Sequence, residues 1–305
     1  MQLMQMVHGS GVWTGLVDHS TLYGALRLDI ERYDKRSGKA LLGHGTGFIV
    51  TVRDCGGYGR FAEFLVTNRH VVDPAFGPKG TVTTALGALT ISGHHQPRGR
   101  RLSPKPAKAI LRSPAPIYPN DPDIDLAVIR FDRQDREVLE GDGWFTSFTE
   151  QQIASPWVYE EADVHAGTQV LTAGYPSLGG QTNATRPILV GGVVASDPRF
   201  PSEFEGTTYP DSALCHAFSR AGMSGAPVFA PIPKNRRHDE EEEPVVAFEL
   251  GIIGVNAGHL RTAGTSDGVI SHFVKSTALL RMLASLGSPT ADLQIKLADA
   301  WDGTD

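Results

Sequence analysis

Hydrolysis near neutral pH needs a nucleophile, a base to take its proton and an acid to orient the base. Ser224, His70 and Asp125 are the residues in this chain whose types and surroundings suit those tasks. Ser224 lies in Gly222-Met223-Ser224-Gly225-Ala226-Pro227, a small-residue turn between apolar segments. Glycines flanking a serine let the backbone turn tightly and bring its N–H groups towards a neighbour. Such a turn either presents a nucleophile beside an oxyanion-binding pair of N–H groups or is an ordinary hairpin connection. His70 ends an apolar run and precedes Val71-Val72. Histidine suits proton transfer at this pH, but with 11 of them in the chain one alone reads as a core or loop residue. Asp125 precedes Leu126-Ala127-Val128, where a carboxylate entering a buried strand must be hydrogen-bonded. Alone it is a strand-entry acid. Asp123, two residues earlier and on the same side of an extended chain, competes with it.

The elements that must position these residues read as short strands. Residues 22–33 alternate Leu26, Leu28 and Ile30 with Arg27, Asp29 and Glu31, the period-two pattern of a half-buried strand. The β-branched run 48–52, a Gly-rich turn at 55–59 and a second run at 61–67 read as a hairpin that ends at His70. Weaker strand signals fall at 81–84, 89–92 and 108–112. Residues 137–149 read as loop or short helix, 150–158 are ambiguous, and this middle section is the candidate linker between two β-rich halves. Further strands are expected at 169–174, 188–196 and 245–255. After residue 276, leucines at 279, 280, 283 and 286 share one helical face, Ser276 or Thr277 can cap it and Gly287 ends it. Leu293, Leu297 and Trp301 repeat that spacing. Many short strands with Gly/Pro turns indicate a barrel or sandwich fold.

Composition narrows the function. The chain has 305 residues, 40% hydrophobic and 20% charged, as in a soluble globular protein with ample core. A net charge of -6 argues against a dedicated nucleic-acid binder. The basic stretch 94–101 and the bipolar stretch 234–243 read as exposed loops. The adjacent His94 and His95 point apart in extended chain, so no metal site is expected. Cys55 and Cys215 make no disulfide framework and read as free thiols. No secretory signal and no apolar run of about 18 residues is present, so a cytoplasmic protein without membrane contact is the expectation.

Six local strings, in order, carry a family resemblance. They are Gly-Thr-Gly-Phe at 45–48, Thr-Asn-Arg-His-Val at 67–71, Asp-Leu-Ala-Val at 125–128, Ala-Gly-Tyr-Pro at 173–176, Gly-Met-Ser-Gly-Ala-Pro at 222–227 and Ile-Ile-Gly-Val-Asn at 252–256. With residues 268–276 they make the chain resemble the trypsin-like (chymotrypsin-fold) serine proteases over residues 40–287. Within these it is most similar to the HtrA/Deg-like bacterial branch. The resemblance implies an all-β protein of two six-stranded antiparallel barrels with a C-terminal helix. The segments would be an N-terminal extension at 1–20, barrels at 21–150 and 151–275, and a helical segment at 276–305. It implies His70, Asp125 and Ser224 as catalytic residues, with Asp125 preferred over Asp123 because it directly precedes Leu-Ala-Val. The N–H groups of Gly222 and Ser224 would hold the oxyanion. Phe218, six residues before the serine, would lie near the base of the specificity pocket, and Gly254, Val255 and Asn256 would line its wall and pair with substrate backbone. With no acid at 218, a small or medium apolar residue is expected before the cut, rather than Lys or Arg.

The implied function is a serine endopeptidase acting on protein or peptide substrates, without cofactor, with room for an activating protein partner or assembly step. No segment resembling a cleavable Ile-Val-Gly-Gly terminus is present, and the 18 residues after Gly287 are too few for a PDZ domain. The alternative from another class is a catalytically silent protease fold used as a binding module. An esterase is a poor fit, because Ala226 stands where a Gly-x-Ser-x-Gly elbow needs glycine and the histidine comes first.

Overall fold

The computed structural model describes residues 6–8, 11–13, 19–53, 61–76, 84–95, 103–161, 163–177, 186–204, 206–233, 248–260 and 270–301. The chain opens with a two-stranded ribbon, β1 (Met6–His8) and β2 (Gly11–Trp13), and a short helix α1 (His19–Tyr23). Strand β3 (Ala25–Asp34) follows the expected alternation, with Leu26, Leu28 and Ile30 buried. It pairs antiparallel with β4 (Ala40–Arg53), which pairs with β5 (Phe61–Thr67). After the one-turn helix α2 (Arg69–Val72) come β6 (Thr84–His95), β7 (Lys105–Arg112), β8 (Ala127–Arg130), β9 (Glu137–Glu140) and β10 (Ser147–Thr149).

A 3-10 turn (Glu150–Gln152) and α3 (Trp157–Glu160) lead into the second half. There β11 (Gln169–Gly174) and β12 (Ile188–Val194) are followed by a small hairpin, β13 (Ser202–Phe204) with β14 (Thr207–Tyr209). The half is completed by β15 (Ser212–Ala217), β16 (Pro227–Pro233), β17 (Phe248–His259) and β18 (Ile270–Lys275). Helices α4 (Ser276–Ser285) and α5 (Pro289–Trp301) end the described chain.

Among the described residues the second half closes into a barrel, in the order β11-β12-β15-β18-β17-β16. The first half is an eight-stranded sheet, β8-β5-β4-β3-β6-β7-β9, with β10 added parallel to β4. Of the two expected six-stranded barrels one is therefore found, and in this half the described end strands β8 and β9 do not pair. Its end strands β8 and β9 have four residues each, and the outer side of β8 is met by the single bridge Ile117↔Val128. Residues 137–149 hold two strands where loop or short helix was expected. All four β9 side chains are exposed, so the strand shows no apolar alternation to read. The stretch still links the halves, since β10 joins the first sheet and Ile153 bridges to Ile252 of β17. Cys55 and most of the 94–101 and 234–243 stretches lie outside the described residues. Cys215 is a buried free thiol.

Three apolar clusters hold this frame. One fills the first sheet around Leu28, Leu65, Ile129 and Phe131. One fills the barrel around Val170, Val228, Ile253 and Phe273. The third lies between the halves, where Phe48, Phe64 and Val66 meet Tyr175, Phe229, Val255 and Val274, with Leu279 and Leu283 of α4. A dry, close-packed seam of this kind fixes the two halves against each other.

The first half buries the charge of Arg136. The Arg136 guanidinium, its side chain 1% exposed, pairs with Glu63 at 2.8 Å. It also donates to the Phe131 and Gly143 carbonyls at 2.6 and 2.7 Å. Removing one partner of a buried pair strands the other. Arg136→Met should therefore lower the unfolding free energy by roughly 3–5 kcal/mol, read from a shifted urea midpoint, whereas Arg112→Met at the exposed pair with Glu137 should change it by less than about 1 kcal/mol.

Candidate active site

His70 is placed by the end of β5 and the short helix that follows. Two bonds make that placement tight. Asn68, fully buried, donates through Nδ2 to the Asp125 carbonyl at 2.8 Å, tying the end of β5 to the segment entering β8. Arg32, from β3, donates to the carbonyls of His70 (3.1 Å) and Val71 (2.6 Å), which one turn of helix leaves without internal partners. Asp125 then meets His70 twice. Its Oδ1 accepts the His70 backbone N–H at 2.9 Å, and its Oδ2 lies 2.6 Å from His70 Nδ1. A carboxylate held at both oxygens can turn neither away from the ring nor out to water. Asp123 is exposed, and its own N–H bonds Asp121 instead. Of the two acids, geometry brings only Asp125 to His70.

Ser224 lies on the turn between β15 and β16. Gly222 and Gly225 have φ of 92° and 88°, the left-handed region that glycine enters without strain. A Cβ would be excluded in any case. At Gly225 it would stand 2.0 Å from the Thr46 carbonyl oxygen, and at Gly222 2.5 Å from that of Tyr175. The turn is bolted on two sides. From the barrel, Asn256 donates through Nδ2 to the Met223 carbonyl (2.9 Å), accepts the Gly225 N–H and donates its own N–H to Ala226 (both 2.8 Å). From the first sheet, Thr46 donates its N–H to the Ser224 carbonyl (2.8 Å) and its hydroxyl to the Gly222 carbonyl (2.6 Å). The same hydroxyl accepts the Tyr175 N–H at 3.1 Å. Gly45 marks where the elements converge, because a Cβ there would be 2.9 Å from Val71 Cγ1 and 3.4 Å from the Ser224 carbonyl oxygen.

The backbone around the serine is asymmetric in its use. The Ala221 carbonyl accepts the Ser177 N–H at 2.8 Å, which turns the N–H of Gly222 the opposite way. The Met223 N–H is consumed by Arg220 at 3.0 Å. Among the described residues, the N–H groups of Gly222 and Ser224 have no internal acceptor. Two unpaired donors, the serine's own N–H and that of the residue two before it, are the groups an oxyanion would need.

The expected pocket residues fall less neatly. Phe218 is 41% exposed with Arg220 stacked on its ring, so it does not form the floor of a pocket. Gly254 packs against Phe273 inside the barrel, and Val255 is fully buried in the seam. Asn256 has its backbone committed to the serine turn. These three brace the turn from behind and have no surface left to face a substrate. The residue beside the serine hydroxyl is Gly258, whose added Cβ would stand 3.6 Å from Ser224 Oγ. It follows a bulge in the β17–β18 pairing, an irregularity that residue type did not announce.

His272, paired with Gly258 across that bulge, was also missed. It is 9% exposed, and Tyr209 covers its ring at a centroid distance of 4.8 Å. Burial pushes its pKa down to about 4; Asp125 opposes the shift, His70 adds to it and the Gly258 carbonyl opposes it. Its Nδ1 has no hydrogen-bond partner. Among the described residues no group of three or more His, Cys, Asp or Glu could hold a metal ion, and no helix there is long and apolar enough to cross a membrane.

The described fold is mostly β, with a carboxylate-held histidine beside the first sheet and a glycine-flanked serine on the turn that leads into the barrel. The chain belongs to the trypsin-like peptidase domain family, whose sequence model matches residues 45–232. Two solved structures are similar to it. The crystal structure of Deg5 is 17% identical, covering 86% of this chain and 88% of that one, with a TM-score of 0.44. A thermostable serine protease, AL20, from an extremophilic microorganism is 10% identical, covering 86% and 95%, with a TM-score of 0.47. No curated protein sequence gives a significant match.

The site makes two predictions. Thr46→Val keeps the shape but leaves the Gly222 carbonyl and Tyr175 N–H buried and unpaired, so thermal or urea unfolding should show a loss of about 1–3 kcal/mol. His272 binds a proton more readily unfolded (near pH 6.5) than folded (near 4), so stability should fall as pH drops through that window, by up to about 3 kcal/mol. In His272→Phe the dependence of the urea midpoint on pH between 6.5 and 4 should flatten.

Proposed function

We propose that the protein is a serine endopeptidase that cleaves peptide bonds through Ser224, His70 and Asp125. The observation that carries this reading is the two-point hold of Asp125 on His70, on both the backbone N–H and Nδ1. With Nδ1 engaged, the ring has Nε2 free to take a proton. Ser224 Oγ attacks the substrate carbonyl as its proton passes to Nε2, and Asp125 stabilises the imidazolium that forms. The oxygen of the tetrahedral intermediate gains negative charge and is met by the N–H groups of Gly222 and Ser224. His70 then protonates the departing amine, leaving an acyl group on Ser224, and a water activated by the same ring releases it. Among the described residues no hydrogen bond joins Ser224 to His70. In free enzymes such bonds are often long and tighten only when substrate is bound.

The two unpaired donors also bear on activation. Nothing described holds the Gly222 and Ser224 N–H groups, so opening the oxyanion site breaks no internal bond. This supports a turn competent at rest, with any partner or assembly step acting on access to the cleft. The reading of the fold as a silent binding module gains nothing from these donors, since a module that only binds has no use for an oxyanion site beside a His–Asp pair.

A fluorophosphonate probe tests the reading. The folded protein should be labelled and Ser224→Ala should not, while His70→Ala and Asp125→Asn should lower peptide turnover by about 10³-fold or more. A folded wild-type protein that stays unlabelled at pH 8 would falsify the proposal.

A further inference from the structure

One face of β4 runs from the serine turn out to solvent. Strand alternation puts Leu42, His44 and Thr46 on the same side, and Thr46 is the residue that docks the turn. The His44 ring lies against Gly222, where an added Cβ would stand 2.9 Å from its Cδ2 and 3.0 Å from its Nε2. Two residues further out, Leu42 is 86% exposed, more than any other large apolar side chain among the described residues. Its neighbours in the hairpin, Leu41 and Tyr33, are exposed too. Beyond them, β3 and β4 are joined by residues 34–39, which hold three cations, Lys35, Arg36 and Lys39, and one acid, Asp34. Asp34 is committed to the turn, because its Oδ1 accepts the N–H groups of Arg36 and Ser37, both at 2.8 Å. Arg36 and Lys39 are exposed and make no ion pair among the described residues. A chain of net charge -6 thus carries a locally basic tip, at the end of a strip that starts beside its serine turn.

We propose that this hairpin is a substrate-docking surface, remote from the cut, that selects protein substrates carrying an apolar residue followed by an acidic run. The inference rests on the serine-peptidase reading above. A strand advances about 3.3 Å per residue, so Leu42 lies roughly 13 Å and Lys39 roughly 23 Å along β4 from Thr46. An extended substrate following the same face advances at the same rate. Its apolar residue therefore falls about four residues from the scissile bond, and its acids from about seven residues onward. Repulsion sharpens that register. Asp29 and Glu31 stand opposite His44 and Leu42 across the strand pair. Asp29 is neutralised by Arg27 at 2.7 Å, whereas Glu31, which accepts the Tyr33 hydroxyl, keeps an anion beside Leu42. A substrate acid is disfavoured there and favoured at the tip. The net charge of the chain disfavours acidic segments in general, so attraction has to come from a local basic surface. Exposed charges act mainly on encounter, so the contribution belongs to KM rather than to the chemical step. A lipid surface would meet the same cations and leucines, but the inner end of the strip is the serine turn, which favours a peptide drawn through the site.

The test uses peptides with one common sequence around the cut and an extension placed either before or after it. The extension carries Leu about four residues out and a run of Glu from about seven residues out, or Ser and Gln at the same places. For wild type in low salt, kcat/KM should favour the acidic extension about tenfold at one of the two placements, through KM. The preference should fade in about 0.5 M salt. Arg36→Glu combined with Lys39→Glu should bring the ratio to one or below, while the neutral peptide is cut as by wild type. Arg199→Glu with Lys296→Glu reverses two exposed cations elsewhere and should leave the ratio intact. A wild-type ratio near one at both placements, a preference that survives reversal of the tip, or an equal loss with the distant pair overturns the inference. Tip-dependent binding to phosphatidylserine vesicles with a peptide ratio near one assigns the surface to lipid and overturns it as well. Wild-type protein that neither cleaves any peptide nor reacts with the fluorophosphonate sinks the peptidase reading and this inference with it. Labelled, active protein with no acidic preference sinks this inference alone.

Discussion

A single threonine joins the two halves of the site. Thr46, fully buried on β4, spends its N–H on the Ser224 carbonyl, its hydroxyl proton on Gly222 and a hydroxyl lone pair on Tyr175. Its own carbonyl accepts the Thr67 hydroxyl at 2.8 Å, two residues before the helix that carries His70 begins. Each of these groups lies where water cannot replace a lost partner, so the bonds are costly to break one at a time. The consequence is positional. The serine turn belongs by connectivity to the barrel, yet it is docked onto the strand that pairs with the histidine's own. Gly225 makes that docking sterically feasible, because any side chain there would collide with the Thr46 carbonyl.

Around this joint, apolar and polar forces divide the work. The seam of Phe48, Phe64, Val66, Tyr175, Phe229 and Val255 supplies non-directional attraction between the halves. Asn68, Arg32, Thr46 and Asn256 supply direction, each satisfying carbonyls or N–H groups that the short helix and the tight turn leave open. The outcome is selective saturation. The polar backbone groups that shape the turn are paired internally, whereas the Gly222 and Ser224 N–H groups have no internal acceptor among the described residues. Several side chains around the site depart from that saturation, with Arg32 Nε, Asn68 Oδ1, Tyr175 Oη and His272 Nδ1 buried without hydrogen-bond partners.

Much of this was legible in the residues. The alternation of Leu26, Leu28 and Ile30 requires a strand with one buried face, and β3 is that strand. The leucines after Ser276 fall on one face at helical spacing, and in α4 they bury it against the seam. The strings around His70, Asp125 and Ser224 are local signatures too, and the structure has the histidine after a strand end, the aspartate before a strand and the serine between two glycines of positive φ. Where local pattern was absent, the reading failed. The exposed β9 shows no alternation, and β10 is a strand only because β4 offers it a partner.

By itself, the sequence determined the β-rich class, the family's motifs and the residue types available for chemistry, all of which depend on neighbours within a few positions. Tertiary structure decided between Asp125 and Asp123, turned Phe218 to solvent and assigned Gly254, Val255 and Asn256 to bracing the serine turn. It also brought Gly258 and His272 to the serine's side through a bulge between two strands. The reason is the range of the forces involved. Periodicity and turn chemistry act along the chain, whereas hydrogen-bond saturation and close packing act between residues such as Thr46 and Gly222, 176 positions apart.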